Sequence, residues 1–215
     1  MRKIKNIIFD LDGTLWDSRE QVVQAWNNAL KEIKSITLSK EELTSLMGKT
    51  NEEYKKKLFP DVDNNTANQY MKMCEIEEVK YLTTHGANVF NNTIQTIKQL
   101  HKHYNLFIVS NCQDGYIESF LNHYKLNEYF NDIECNGKTG LNKTQNIKLL
   151  IDRNKIENIN TCYVGDTIGD YESSKNNYLL FIYAKYGFGK CTNMKYAINK
   201  IEELPSVLEN INLNS

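Results

Sequence analysis

Short apolar runs and amphipathic stretches alternate through most of the chain. Ile7-Ile8-Phe9, Leu106-Phe107-Ile108-Val109, Thr161-Cys162-Tyr163-Val164 and the stretch from Leu180 to Tyr183 are β-forming runs, and Asp132-Ile133-Glu134-Cys135 is a weaker one. Helical patterns separate them. They cover Thr93 to Tyr104, then about Asp114 to Tyr124 with Ile117, Phe120, Leu121 and Tyr124 on one side. Lys143 opens another helix carrying Ile147, Leu150 and Ile151, a further one spans about Tyr171 to Asn176, and Pro205 starts a terminal helix. Strands alternating with helices predict an α/β chain, a Rossmann-like parallel sheet covered on both faces.

The stretch between Leu15 and Gly86 follows a different rule. Val22, Val23, Trp26, Ala29, Leu30 and Ile33 recur at three- and four-residue spacing, which marks one apolar helical face. Ser39-x-x-Glu42 reads as a capping box opening a helix through Leu43, Leu46 and Met47, which Gly48 ends. Thr50-x-x-Glu53 reads as a second cap, and its helix stops at Pro60. A longer helix runs from about Thr66 to His85. Four helices without a strand predict an inserted helical module. The expected division is therefore an α/β core of residues 1–15 and 88–215 with a helical cap over 16–87.

Composition excludes several classes. Lys+Arg 26 against Asp+Glu 27 gives a formal net charge of -1, so no global field draws in nucleic acid or an anionic membrane. Lys55-Lys56-Lys57 reads as a solvated helix face. No apolar run approaches a membrane span, and Met1-Arg2-Lys3 leads directly into a strand with no signal-peptide pattern. Cys74, Cys112, Cys135, Cys162 and Cys191 form no Cys-x-x-Cys pair, which suits reduced thiols. The expectation is a soluble cytoplasmic protein, a monomer or weak homodimer, with no nucleic-acid or membrane partner.

Candidate chemistry collects where apolar strands end: Asp10 with Asp12, Ser110-Asn111, and Gly165-Asp166 followed by Asp170. In open α/β sheets the ligand crevice lies along that edge, so topology predicts that these distant residues are neighbours. Asp10 and Asp12 flank the turn residue Gly13. Two such close acids repel unless a cation or a shared proton offsets them. Mg²⁺ suits the set because it takes oxygen ligands. Ser110-Asn111 could cap the next helix or bind a phosphate oxygen. Lys143, at a helix start that itself favours anions, is the candidate phosphate-facing lysine, with Lys138 after Gly137 as its rival.

The stretch Phe9-Asp10-Leu11-Asp12-Gly13-Thr14-Leu15 resembles the first motif of the haloacid dehalogenase-like hydrolase superfamily. The order Asp10/Asp12, Ser110, Lys143, Asp166/Asp170 is similar to its four motifs, and the insertion resembles the small helical cap of the phosphoglycolate phosphatase and β-phosphoglucomutase type. The chain departs in having Thr144 after Lys143, where many relatives have proline. The resemblance implies a Mg²⁺-dependent phosphatase acting on a small-molecule phosphate monoester through an aspartyl-phosphate. Asp10 would be the nucleophile and Asp12 the acid and base. Ser110, Asn111 and Lys143 would hold the phosphate, and Asp10, Asp12, Asp166 and Asp170 the metal. Asp170 could instead position Lys143. Gly48-Lys49-Thr50 resembles the family's specificity loop, so Lys49 or Thr50 would touch the leaving group. A sugar phosphomutase shares the same intermediate, and a non-catalytic phosphate-binding regulator could keep the scaffold. A dehalogenase needs no acid at the position of Asp12.

Overall fold

The computed structural model describes residues 3–33, 37–46 and 51–214. Strand β1 (Asn6–Phe9) is buried along its whole length and ends at Asp10. The chain then turns into β2 (Trp16–Asp17) and four helices, α1 (Arg19–Ile33), α2 (Lys40–Leu46), α3 (Asn51–Leu58) and α4 (Asn64–His85). It returns through β3 (Asn88–Val89), which pairs antiparallel with β2. The helical insertion thus enters and leaves through one two-stranded ribbon. The strand-free reading of that stretch missed β2, whose two residues are too few for a period-2 signal.

After β3 the expected alternation appears as α5 (Thr93–Leu100), β4 (Asn105–Ser110), α6 (Tyr116–Tyr124), β5 (Asp132–Cys135), α7 (Asn136–Thr139), α8 (Lys143–Asn154), β6 (Thr161–Gly165), α9 (Ile168–Asn176), β7 (Leu180–Ala184), β8 (Ala197–Ile198) and α10 (Leu204–Leu213). The six-stranded sheet has the order β5-β4-β1-β6-β7-β8, and every neighbouring pair in it is parallel. Successive side chains point to opposite faces of a strand. Accordingly Ile8, Phe107, Val109, Tyr163 and Phe181 form one core with Ile147, Leu150 and Ile151 of α8. Ile7, Phe9, Ile108, Val164 and Ile182 belong to the other, with Ile117 and Phe120 of α6 and Leu208 and Ile211 of α10. Both faces are covered, which is why these strands read as continuous apolar runs.

Two helix starts lie upstream of their apolar periodicity because side chains cap them. Asp63 accepts from the backbone N–H groups of Asn65 and Thr66, so α4 begins at Asn64, before Thr66. Thr167 and Asp170 form a reciprocal capping box that starts α9 at Ile168, three residues before Tyr171. The Ser39–Glu42 box opening α2 is present as expected, with N–H to oxygen distances of 3.2 and 2.9 Å. Gly48 and Thr50 lie outside the described residues. Among the described residues, no helix is long and apolar enough to cross a membrane.

Candidate active site

β1 ends within two residues of the ends of its two neighbours, since Phe9 stands in register with Ile108 on one side and Val164 on the other. Asp10 is therefore carried to the sheet edge between the Ser110 and Asp166 ends, and its N–H donates to the Val164 carbonyl at 2.9 Å. Asp10 is only 5% exposed. The following turn relies on Gly13, whose φ is +80° and whose N–H donates to the Trp16 carbonyl at 2.9 Å. A Cβ on Gly13 would stand 2.4 Å from Asp166 Oδ2, so the turn lies directly against that acid.

Asp166 is completely buried. Its Oδ2 accepts the Phe188 and Gly189 N–H groups at 2.7 and 3.1 Å, while Oδ1 has only a long 3.4 Å contact with the Thr14 hydroxyl. Burial, and then the charge of Asp170, raise its pKa to about 6. The loop that supplies those N–H groups gave no signal in the sequence beyond Gly187 and Gly189.

Lys143 and Lys138, the two candidate lysines, lie in different surroundings. Lys143 Nζ lies 2.9 Å from Asp10 Oδ1 and 2.5 Å from Asp170 Oδ1, whereas Lys138 is exposed on α7. Asn142 makes the reciprocal capping box with Gln145 that places Lys143 at the first position of α8. Burial alone would lower the Lys143 pKa, but the charges of Asp10 and Asp170 override it and hold the ammonium well above its usual range. Burial and the Asp170 charge push Asp10 upward, against the pull of Lys143. Asp170 is fully committed: its Oδ2 takes the Asp166 and Thr167 N–H groups at 3.2 and 2.9 Å and the Thr167 hydroxyl at 2.7 Å.

Carboxylate oxygens of Asp10, Asp166 and Asp170 all lie within 4.8 Å of one another. Three buried acids against one ammonium leave this cluster short of positive charge. An all-oxygen donor set with a nearly unpartnered Asp166 Oδ1 fits a hard divalent cation such as Mg²⁺.

Asp12 lies outside that cluster of three acids, half-buried among hydroxyls. Ser18 Oγ donates to Asp12 Oδ1 at 2.6 Å, and the Tyr116 hydroxyl lies 2.8 Å from both Asp12 Oδ1 and Ser18 Oγ. The Trp16 indole Nε1 approaches the same carboxyl without reaching hydrogen-bonding geometry. Burial raises the Asp12 pKa, and the Ser18 and Tyr116 hydrogen bonds temper the rise. Sequence reading missed both hydroxyls. Ser18 sits on the exit segment of the Asp12 turn and was findable there, whereas Tyr116 is 104 residues away and carries no local mark.

Ser110, 4% exposed, ends β4 beside Asp10. Asn111 is exposed, and with Lys143, Thr167 and Asp170 it lines an open cavity of about 200 Å³. Neither residue caps α6, whose start has no side-chain cap. Lys49 and Thr50 lie outside the described residues. Trp16 is buried in β2 and meets Tyr116 and Phe120 edge to face, with ring centroids 5.5 and 5.1 Å apart, so it packs the base of the ribbon.

Residues 7–184 match the family model of the haloacid dehalogenase-like hydrolases. Among solved structures the chain is similar to a haloacid dehalogenase-like family hydrolase from Streptococcus pneumoniae, at 18% identity and a TM-score of 0.79, with 96% of this chain and 99% of that one covered. It is similar to a predicted phosphoglycolate phosphatase from Haemophilus somnus at 15% identity and a TM-score of 0.83, over 96% and 99% of the two chains. CbbY from Rhodobacter sphaeroides, solved in complex with phosphate, gives 16% identity, a TM-score of 0.81 and the same coverage of 96% and 99%. Likenesses at such identities establish a shared fold. A search of curated proteins returned no significant match.

Proposed function

The chain belongs to the haloacid dehalogenase-like hydrolase family, and from that premise we propose that it is a Mg²⁺-dependent phosphatase that hydrolyses a small-metabolite phosphate monoester through an aspartyl-phosphate on Asp10. The observation that carries this reading is the separation of the two acids. Asp10 faces the Lys143 ammonium at 2.9 Å, while Asp12, two residues on, is held apart by Ser18 and Tyr116.

In this mechanism an Asp10 oxygen attacks phosphorus and displaces the leaving alkoxide. Asp12, whose pKa is raised by burial, delivers its proton to that oxygen. Its Oδ1 is occupied by hydroxyl groups, so the transferable proton resides on Oδ2. The resulting carboxylate then takes a proton from the water that hydrolyses the acyl phosphate. Lys143 and Ser110 bind the transferring group, where fixed charge and donors favour the transition state. Asp170 aims the Lys143 ammonium; its hydrogen bonds to Asp166, Thr167 and Lys143 favour that role over direct metal ligation. Mg²⁺ would be held by Asp10, Asp166 and the backbone carbonyl of Asp12, supplying charge neutralisation and alignment of the reacting oxygens. The helical insertion is proposed as a cap that excludes water while substrate is held. It spans residues 16–87.

Release of phosphate from p-nitrophenyl phosphate and a metabolite panel, with Mg²⁺ or with EDTA, tests the proposal. Turnover that requires metal and disappears in Asp10→Asn supports it. Transfer of the phosphoryl group to a hexose phosphate instead of water would make the protein a mutase. Absence of both activities would leave a scaffold with other chemistry.

A further inference from the structure

The loop that orients Asp166 meets the helical insertion at one of its side chains. Phe188 and Gly189 set their N–H groups on Asp166 Oδ2, at 2.7 and 3.1 Å. Oδ1, with only its long 3.4 Å contact to the Thr14 hydroxyl, is left as the oxygen for a cation. Core residues pin the backbone on either side of Phe188. The Tyr186 hydroxyl donates to the Thr14 carbonyl and the Tyr183 hydroxyl to the Gly189 carbonyl, each at 2.9 Å. The Phe188 ring between those anchors is covered by the Arg19 guanidinium, whose Cζ lies 4.1 Å from the ring centroid.

Arg19 is the first residue of α1, the helix that opens the insertion and packs along α4. The ribbon at the base of the insertion fixes how it points. Its Nε and Nη2 donate to Oδ1 and Oδ2 of Asp17 at 2.8 and 2.6 Å, and its backbone N–H reaches Oδ1 at 3.2 Å. Asp17 itself stands in β2, opposite Asn88 of β3. A guanidinium already held in such a fork loses little further freedom by lying on a ring. Asp17 also neutralises it, so what Arg19 passes to the loop is position and not charge. Its side chain is 24% exposed, which makes the contact a partly desolvated one.

We propose that Arg19 is a positioning residue for Asp166: stacked on Phe188, it couples the seating of the helical insertion to the affinity of the cation site. By linkage, a cation bound at Asp166 favours the same Arg19–Phe188 contact. The inference rests on Asp166 as a cation ligand in the function proposed above, and it adds what holds that ligand in aim.

The test uses Arg19→Ala and Phe188→Leu, singly and together, with melting temperatures to establish folding. In metal-free protein, hydrogen exchange of the Phe188 and Gly189 amides, read by NMR, should quicken by about two- to fivefold in Arg19→Ala, the span of a partly exposed cation–π contact. The Ile182 amide in β7 should keep its wild-type rate. In calorimetric titration with Mg²⁺, each single variant should raise Kd by a similar factor, and the double variant should be no weaker than either, since both remove one contact. Arg19→Lys, a cation without the planar fork, should fall between wild type and Arg19→Ala. Unchanged exchange at the two loop amides, equal acceleration at Ile182, or losses of Mg²⁺ affinity that simply add would each overturn the proposal. A wild type that takes up no Mg²⁺ would refute the metal-dependent reading of the site by itself. The amide rates then decide alone: selective acceleration supports the coupling of Arg19 to the Asp166 loop, and none overturns it.

Discussion

The Tyr116 hydroxyl and Asp12 Oδ1 are 2.8 Å apart although 104 residues of chain separate them. Tyr116 reaches Asp12 from the start of α6, and the same hydroxyl touches Ser18. Two hydrogens thus serve three oxygens. When Asp12 is ionised both hydroxyls can donate to Oδ1; when it is protonated on Oδ2, Tyr116 can turn to Ser18. The pair follows the protonation state of the proposed acid without moving.

Tyr116→Phe removes one donor from Asp12 and leaves the ring packed against Trp16. The hydrogen bond lowers the Asp12 pKa, so its loss should raise that pKa further. The expected result is a high-pH limb of kcat/KM displaced upward, with kcat reduced by about tenfold. A pH–rate profile of the variant with a single phosphate ester measures both, and an unshifted limb would show that Tyr116 does not act on Asp12.

Lys143→Met should lose activity by about a hundredfold or more, because the transferring group loses its fixed positive charge. It should also destabilise the metal-free protein by about 3 kcal/mol, since Asp10 and Asp170 then remain buried without their shared counter-ion. Urea unfolding in EDTA reads the second effect separately from the first.

Gly187 offers a different probe of the acid cluster. A Cβ there would stand 2.3 Å from Asp166 Cβ and 2.4 Å from the Gly13 carbonyl oxygen. Gly187→Ala should cost about 1–3 kcal/mol of stability and weaken activation by Mg²⁺, because the loop whose Phe188 and Gly189 N–H groups orient Asp166 must shift. Titration of activity against Mg²⁺ checks this, and an unchanged midpoint would mean that the loop does not set the site.

Glu78 gives a pH dependence of stability whose sign can be worked out. Its folded pKa is raised from 4.5 to about 8, so the folded state binds the proton more tightly than the unfolded chain does. The associated stability is fully present below the unfolded value and is lost progressively as pH rises through about 8. The groups around it are Trp26, Tyr54, Glu75, Gln113, Tyr116 and Asp12, and among the described residues none is a cation. Denaturant midpoints of the apo protein should therefore fall between about pH 5 and pH 8, and Glu78→Gln should flatten that part of the curve.

The sheet was legible because its evidence is local. Ile7-Ile8-Phe9 and Thr161 to Val164 are buried on both faces, so every residue reports the same environment, and Gly13 and Lys143 sit at a turn and a helix start that neighbouring residues mark. Convergence of Asp10, Ser110 and Asp166 also followed from the alternation, since parallel strands place their C-terminal ends along one edge. The helix that starts at Lys143 favoured it over Lys138 in the sequence, and the three-dimensional structure shows where each ammonium lies. Both lie near a helix, and only the packing of α8 on the sheet brings one ammonium to Asp10.

Tertiary structure alone decided what surrounds those acids. The Phe188 and Gly189 N–H groups on Asp166, Tyr116 on Asp12 and Trp26 on Glu78 are contacts between distant segments. Backbone donors carry no residue signature, and a tyrosine or tryptophan on an apolar helix face reads as core whether or not its polar atom meets a carboxyl. By itself the sequence determined the five longer strands, most helices and the set of acids at the sheet edge, because periodicity and turn chemistry act over a few residues. The structure decided the protonation environment of each acid, because burial and charge depend on neighbours that the chain brings from far away.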